Sequence, residues 1–165
     1  MSLLTKEQMK QHCINLLNQR GVQISDITDL VYYLQAKYIP NLSLEVCEEA
    51  VGRVLSKREV HYAILTGVEL DMLAEKKLLS EPLQTLIVND NPLFGIDEIL
   101  VLSICNIYGS IGLTNFGYID KVKPGIIGKL DKDGKSPDVC HTFMDDIIGA
   151  IAAAAASSVA HNSAL

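Results

Sequence analysis

The stretch Ile99–Ile119, ILVLSICNIYGSIGLTNFGYI, runs for 21 residues without a charge, and acids border it on both sides: Asp97 and Glu98 before it, Asp120 after it. Its length matches a bilayer span. Its content does not, because Ser103, Asn106, Ser110, Thr114 and Asn115 are polar and Gly109, Gly112 and Gly117 loosen a helix. The stretch therefore reads as a buried central segment of a helical core. A second uncharged run, Ile147–Ala160, follows Asp145 and Asp146; its 14 residues are too few to cross a membrane. Within it, Gly149 and Ala152–Ala156 permit very close helix approach.

Outward from these runs, helix signals recur and strand signals do not. Thr5 with Gln8 forms a capping box, and Gly21 stops that segment. Ser25 is placed to cap a second helix, which Pro40 ends. Ser43 opens a third, with Leu44, Cys47, Val51, Val54 and Leu55 on one face, and a fourth runs from about Arg58 to Lys77. Ser80 and Pro82 open a short fifth. Asn89–Pro92, NDNP, breaks the chain before a helical stretch from Ile96 to Gly109. Lys123–Gly125 marks a turn, and Leu130–Val139, LDKDGKSPDV, reads as a polar loop. Thr142 with Asp145 has the pattern of a capping box that launches the last helix. The fold expected is all-α: one multi-helical bundle over residues 1–165, with the C-terminal helices buried.

Composition bounds what such a bundle does. Of 165 residues, 48% are apolar and 21% charged, enough core for one domain and too little charge for disorder. The net charge is −6 and no long basic run occurs, which excludes a nucleic-acid footprint. Cys13, Cys47, Cys105 and Cys140 form no C-x-x-C pair and read as reduced core thiols of a cytoplasmic protein. The opening MSLLTKEQMK has no apolar core, so no secretory leader is expected. Phosphate-binding loop, dinucleotide-fold and nucleophile-elbow glycine patterns are all absent from the sequence.

The chemistry lies in the bordering acids. A carboxylate at the edge of an apolar core is costly unless something neutralises it. Asp97, Glu98, Asp145 and Asp146 fall in first helical turns, where the helix dipole helps; ordinary capping accounts for such acids too. Together with Asp120 they also suit Mg2+ or another divalent cation, which takes oxygen ligands and bridges to phosphate. Lys121 and Lys123 beside Asp120 are candidate phosphate contacts. Cys140-His141 is a weak soft-metal pattern, and Glu45-x-x-Glu48 resembles half the acidic set of helical nucleotide pyrophosphohydrolases.

Three segments, Ile96–Ile99 (IDEI), Phe116–Pro124 (FGYIDKVKP) and Phe143–Ile147 (FMDDI), resemble the phosphatidylglycerophosphatase A family in order and approximate spacing. That family shows a D-E pair, then F-R-x-x-D-x-x-K-P, then a D-D pair opening an Ala/Gly-rich helix. The whole chain is similar to its short YutG-like branch. The resemblance implies a Mg2+-dependent phosphatase converting phosphatidylglycerophosphate to phosphatidylglycerol and phosphate. It implies that Asp97, Glu98, Asp120, Asp145 and Asp146 form the metal and catalytic set, with Lys123 facing phosphate. One departure is Gly117, which stands where the family has Arg, so a bidentate phosphate grip is missing. Two alternatives follow: a metal- or phosphate-binding module without turnover, and a nucleotide pyrophosphohydrolase using Glu45 and Glu48. The expected partners are a phospholipid phosphate or smaller phosphate ester and a second copy of the chain. The expected location is the cytoplasm, with peripheral contact at the membrane's inner face.

Overall fold

The computed structural model describes residues 4–163; Met1–Leu3, which begin the segment read for a leader, lie outside them. Helix α1 (Lys6–Gln19) starts at the expected box: the Thr5 hydroxyl accepts from Gln8 N at 3.3 Å and Thr5 N donates to the Gln8 side chain at 2.9 Å. Gly21 then turns the chain at a φ of 84°. Helix α2 (Ile24–Gln35) begins two residues earlier than expected. Gln23 is its cap residue, its N–H donating to Asp26 at 2.7 Å, so Ser25 lies inside the first turn. Helix α3 (Leu44–Val54) has Ser43 as its cap, and α4 covers Arg58–Glu75.

After the short α5 (Leu83–Val88), the long uncharged stretch is not one helix. It divides into α6 (Ile96–Cys105), a 3-10 turn at Asn106–Tyr108, and α7 (Gly109–Val122). Gly109, at a φ of 74°, is the joint. Helix α8 (Gly125–Asp133) takes the first residues of the segment expected to be loop, leaving 134–143 to lead into α9 (Met144–Asn162). No strand occurs among the described residues.

The central element is α9. Its residues from Met144 to Ser157 are all buried, and α2, α3, α4, α6, α7 and α8 pack around it. Small residues make this possible: Ala150 and Ala152–Ala156 are fully covered, so surrounding helices come close on every side. Ile147, Ile148 and Ile151 fill the remaining space; each is worth about 1.5–3 kcal/mol in burial. This alanine run is used up inside the chain, so it offers no surface to a second copy.

The expectation for Ile99–Ile119 needs correction. Its inward side is buried through Val101, Ile104, Cys105, Phe116 and Ile119, but Ile99 is 62% exposed, and Ile107, Leu113 and Tyr118 also face outward. The stretch is an outer layer, and the shorter α9 run is the buried centre. Ile96–Val122 is long and apolar enough to cross a membrane by length and composition. All four cysteines are buried and free, as expected of core thiols.

Candidate metal and phosphate site

Three helix ends meet at one cleft of about 320 Å3, lined by Asp97 and Glu98 from α6, Asp120, Lys121 and Lys123 from the end of α7, and Asp145 and Asp146 from α9. Asp97 follows Gly95, whose left-handed backbone (φ 64°) turns the chain into α6. Asp120 lies in the last turn of α7. Lys123 closes that helix in a left-handed conformation, φ 51°, and its N–H bonds Ile119 O at 2.8 Å. A non-glycine residue held there is strained. Gly128 allows the tight return, since a Cβ at that position would collide with the Lys123 carbonyl.

The start of α9 is held by a residue that sequence reasoning passed over. Asp71, fully buried on α4, accepts from Phe143 N at 3.1 Å and from Met144 N at 2.9 Å. It thus satisfies first-turn donors that no local side chain caps. The expected Thr142–Asp145 box does not form: the Thr142 hydroxyl donates to Ile87 O at 2.7 Å, and Asp145 is free to face the cleft. The signal for Asp71 was an acid within the inward face of α4, among Ile64, Gly67, Val68 and Ala74.

The carboxylates form two overlapping groups. Ligand oxygens of Asp97, Glu98 and Asp146 lie within 4.8 Å of one another, and so do those of Asp120, Asp145 and Asp146. Asp146 belongs to both. The Lys123 ammonium reaches into the second group, 2.7 Å from Asp120 and 2.8 Å from Asp145. Burial acts to lower its pKa, but the two carboxylates outweigh this and hold it above the ordinary lysine range. Burial pushes Asp146 up to about 9, reinforced by the charges of Asp145, Asp120 and Asp97. Burial raises Asp97 to about 7, with Glu98 adding to the shift. It raises Asp145 to about 6 against the pull of Lys123.

These are the properties of a site that could hold a cation. The donors are all oxygen, which suits a hard cation and not a soft one. The buried Oδ1 of Asp97 has no hydrogen-bond partner, an expensive arrangement unless an ion or water meets it. The residues therefore fit Mg2+. The first turns of α6 and α9 add their positive ends to the same place.

The other candidates separate from this cleft. Lys121 lines it but is exposed. Glu45 and Glu48 are exposed on α3 and belong to neither carboxylate group. Cys140 Sγ contacts Asp71 and Thr142, and His141 Nδ1 faces Arg20 at 3.3 Å, so this pair belongs to packing around the loop before α9. Asp90 also lines the cleft; its NDNP segment was legible only as a chain break.

The family model of phosphatidylglycerophosphatase A matches residues 15–161, which include both carboxylate groups. The chain belongs to the phosphatidylglycerophosphatase A family. It is 59% identical to the uncharacterized protein YpjQ of Bacillus subtilis (strain 168), over 98% of this chain and 89% of that protein. The uncharacterized protein YutG of the same organism is 58% identical, over 93% and 92% respectively. The crystal structure of the low temperature requirement C protein from Listeria monocytogenes superposes with a TM-score of 0.91 at 54% identity, covering 96% of this chain and 98% of that one. The family thus brings an all-helical fold and a phosphatase setting to a chain whose acids already meet.

Proposed function

We propose that this chain is a divalent-cation-dependent phosphomonoesterase that hydrolyses phosphatidylglycerophosphate to phosphatidylglycerol and inorganic phosphate. The observation that carries the reading is the convergence of Asp97, Glu98, Asp120, Asp145 and Asp146 on one cleft beside Lys123. The two carboxylate groups would hold Mg2+, which supplies charge neutralisation at the phosphoryl oxygens.

The chain's own residues account for the rest. Water attacks phosphorus in line, a P–O bond forms, and the bond to the ester oxygen breaks. A carboxylate of the cleft takes a proton from the attacking water, and the carboxylic acid so formed returns that proton to the ester oxygen, so the alcohol leaves neutral. The Lys123 ammonium lies where it can pair with phosphoryl oxygens once Asp120 and Asp145 have other partners. Ile96, Ile99 and Val122, exposed on α6 and α7, support contact with the cytoplasmic face of a membrane.

The test is Mg2+-dependent phosphate release from phosphatidylglycerophosphate in micelles. Wild type should release phosphate, and the Asp145→Asn/Asp146→Asn double variant should release none while keeping its helical circular dichroism. A double variant working at the wild-type rate would overturn the assignment. Gly117 favours a second reading, a cation- or phosphate-binding module without turnover. Nothing lies within 4 Å of a Cβ at Gly117, so a side chain has room to start there, one turn before Asp120. Under the enzyme reading, Gly117→Arg raises an existing rate; under the second, it creates one.

A further inference from the structure

We infer that the cavity between α2 and α7 is a binding site for a small aromatic anion, a flat ring that carries one carboxylate or a similar singly charged group. The site is separate from the acidic cleft, since no residue lines both. Helices α2 and α7 each pack on α9. The space between them measures about 500 Å3. Tyr33 and Leu34 border it from α2, Lys37 and Tyr38 from the turn just past that helix, and Asn115 and Tyr118 from α7. The Tyr33 and Tyr118 hydroxyls, 3.2 Å apart, bridge the two helices across it.

Lys37 decides the charge of the ligand. No carboxylate among the described residues lies within 4.0 Å of its ammonium, which pairs with none of the acids that hold Arg20, Arg53, Lys123 and Lys135. Its Nζ stands 4.8 Å from the centroid of the Tyr38 ring and 5.7 Å from that of Tyr118. Tyrosine rings alone would make a seat for a cation. Here the protein itself supplies the cation, so the charge left to be matched is negative. Hydrogen bonding points the same way. The joined tyrosine hydroxyls use one of their two hydrogens on each other and leave the second free to donate. At the same wall, Asn115 Nδ2 is covered and has no acceptor.

The remaining lining sets the body of the ligand. The Tyr33 and Tyr118 side chains are nearly half exposed, and with Leu34 they offer ring faces and an aliphatic edge to a flat apolar group. An apolar wall with a few converging polar groups is the usual make-up of a small-molecule site. The number of charges is limited from outside. Tyr33 also borders a neighbouring cavity that holds Asp26 and Asp29, and the chain carries a net charge of −6. A polyphosphate would meet those acids with one lysine to balance them, whereas a single carboxylate is matched by Lys37 alone.

The experiment titrates the full chain with benzoate, acetate and benzylammonium and follows binding by 1H–15N NMR. Benzoate should shift the Asn115 side-chain amide and bind about tenfold more tightly than acetate, through contact of its ring with the tyrosines. Benzylammonium should leave that amide unmoved. Lys37→Met keeps an apolar stem over the rings and removes the charge, and it should weaken benzoate about tenfold. Tyr118→Ala should reduce benzoate to the level of acetate. Both changed side chains are exposed, and circular dichroism checks that each variant keeps its helices. Benzoate binding no tighter than acetate in wild type, benzylammonium binding as well as benzoate, or full benzoate affinity in Lys37→Met overturns the inference. Sedimentation with phosphatidylglycerol vesicles supplies a further arm. Vesicle binding that is lost in Lys37→Met, with no response of wild type to benzoate, would assign the cluster to a membrane surface and would likewise overturn it.

Discussion

Asp146 is shared by both carboxylate groups, so it is the residue whose loss should weaken both. Asp146→Asn is expected to lower Mg2+ affinity at least tenfold in a calorimetric titration, with little change in fold, because an amide keeps the shape and loses the charge. The same residue sets the pH dependence. A cation binds the deprotonated carboxylates, and burial places Asp145, Asp97 and Asp146 at about 6, 7 and 9. Mg2+ affinity should therefore rise as pH rises from 6 to 9, with protons released on binding, and titrations in buffers of different ionisation enthalpy measure that release. A flat affinity over this range would refute the assigned burial effect. The acids themselves were legible in the sequence because each sits directly beside an uncharged run. Asp71 was not, since its partners Phe143 and Met144 are more than seventy positions away in the chain.

At the scale of elements, the crossing of α4 over the start of α9 decides where Asp145 and Asp146 point. Gly67 sits at that crossing: a Cβ there would come to 2.7 Å from Ile147 Cδ1, 3.0 Å from Phe143 Cβ and 3.1 Å from Leu100 Cδ2. Gly67→Ala should cost about 1–3 kcal/mol by overpacking, read from urea denaturation. Asp71→Ala removes the acceptor for two buried N–H groups at the same crossing and should cost on the order of 3 kcal/mol. If either variant matches wild type in stability, the crossing is not what fixes α9. Helix positions were readable because caps and apolar spacing are local, as at Thr5–Gln8 and Ser43. Thr142–Asp145 has an equally good local pattern and fails, because Ile87 O claims the threonine and a distant carboxylate takes the cap. Which uncharged run is central was likewise not local information. Alanine and glycine in α9 admit neighbours on all sides, and the larger Ile99, Ile107 and Leu113 remain outside.

For the whole molecule, gathering buried acids has a cost that depends on pH. Asp97, Asp145 and Asp146 are all raised from 3.8 in the fold, so the folded chain holds protons that the unfolded chain has released. The sign follows: metal-free stability falls as pH rises from 3.8 toward 9, and cation binding offsets the fall. Thermal denaturation in chelator should show a lower midpoint at pH 9 than at pH 6, and Mg2+ should raise the midpoint more at pH 9. An opposite trend would mean that these carboxylates are not burdened by burial. The central claim is that acids from three helix ends share bound cations, and anomalous diffraction from crystals soaked in Mn2+ tests it most directly. The account predicts peaks within coordination distance of Asp146, one beside Asp97 and one beside Asp120 and Asp145. No peak in that cleft at saturating Mn2+, with Lys123 still joined to Asp120 and Asp145, would contradict it.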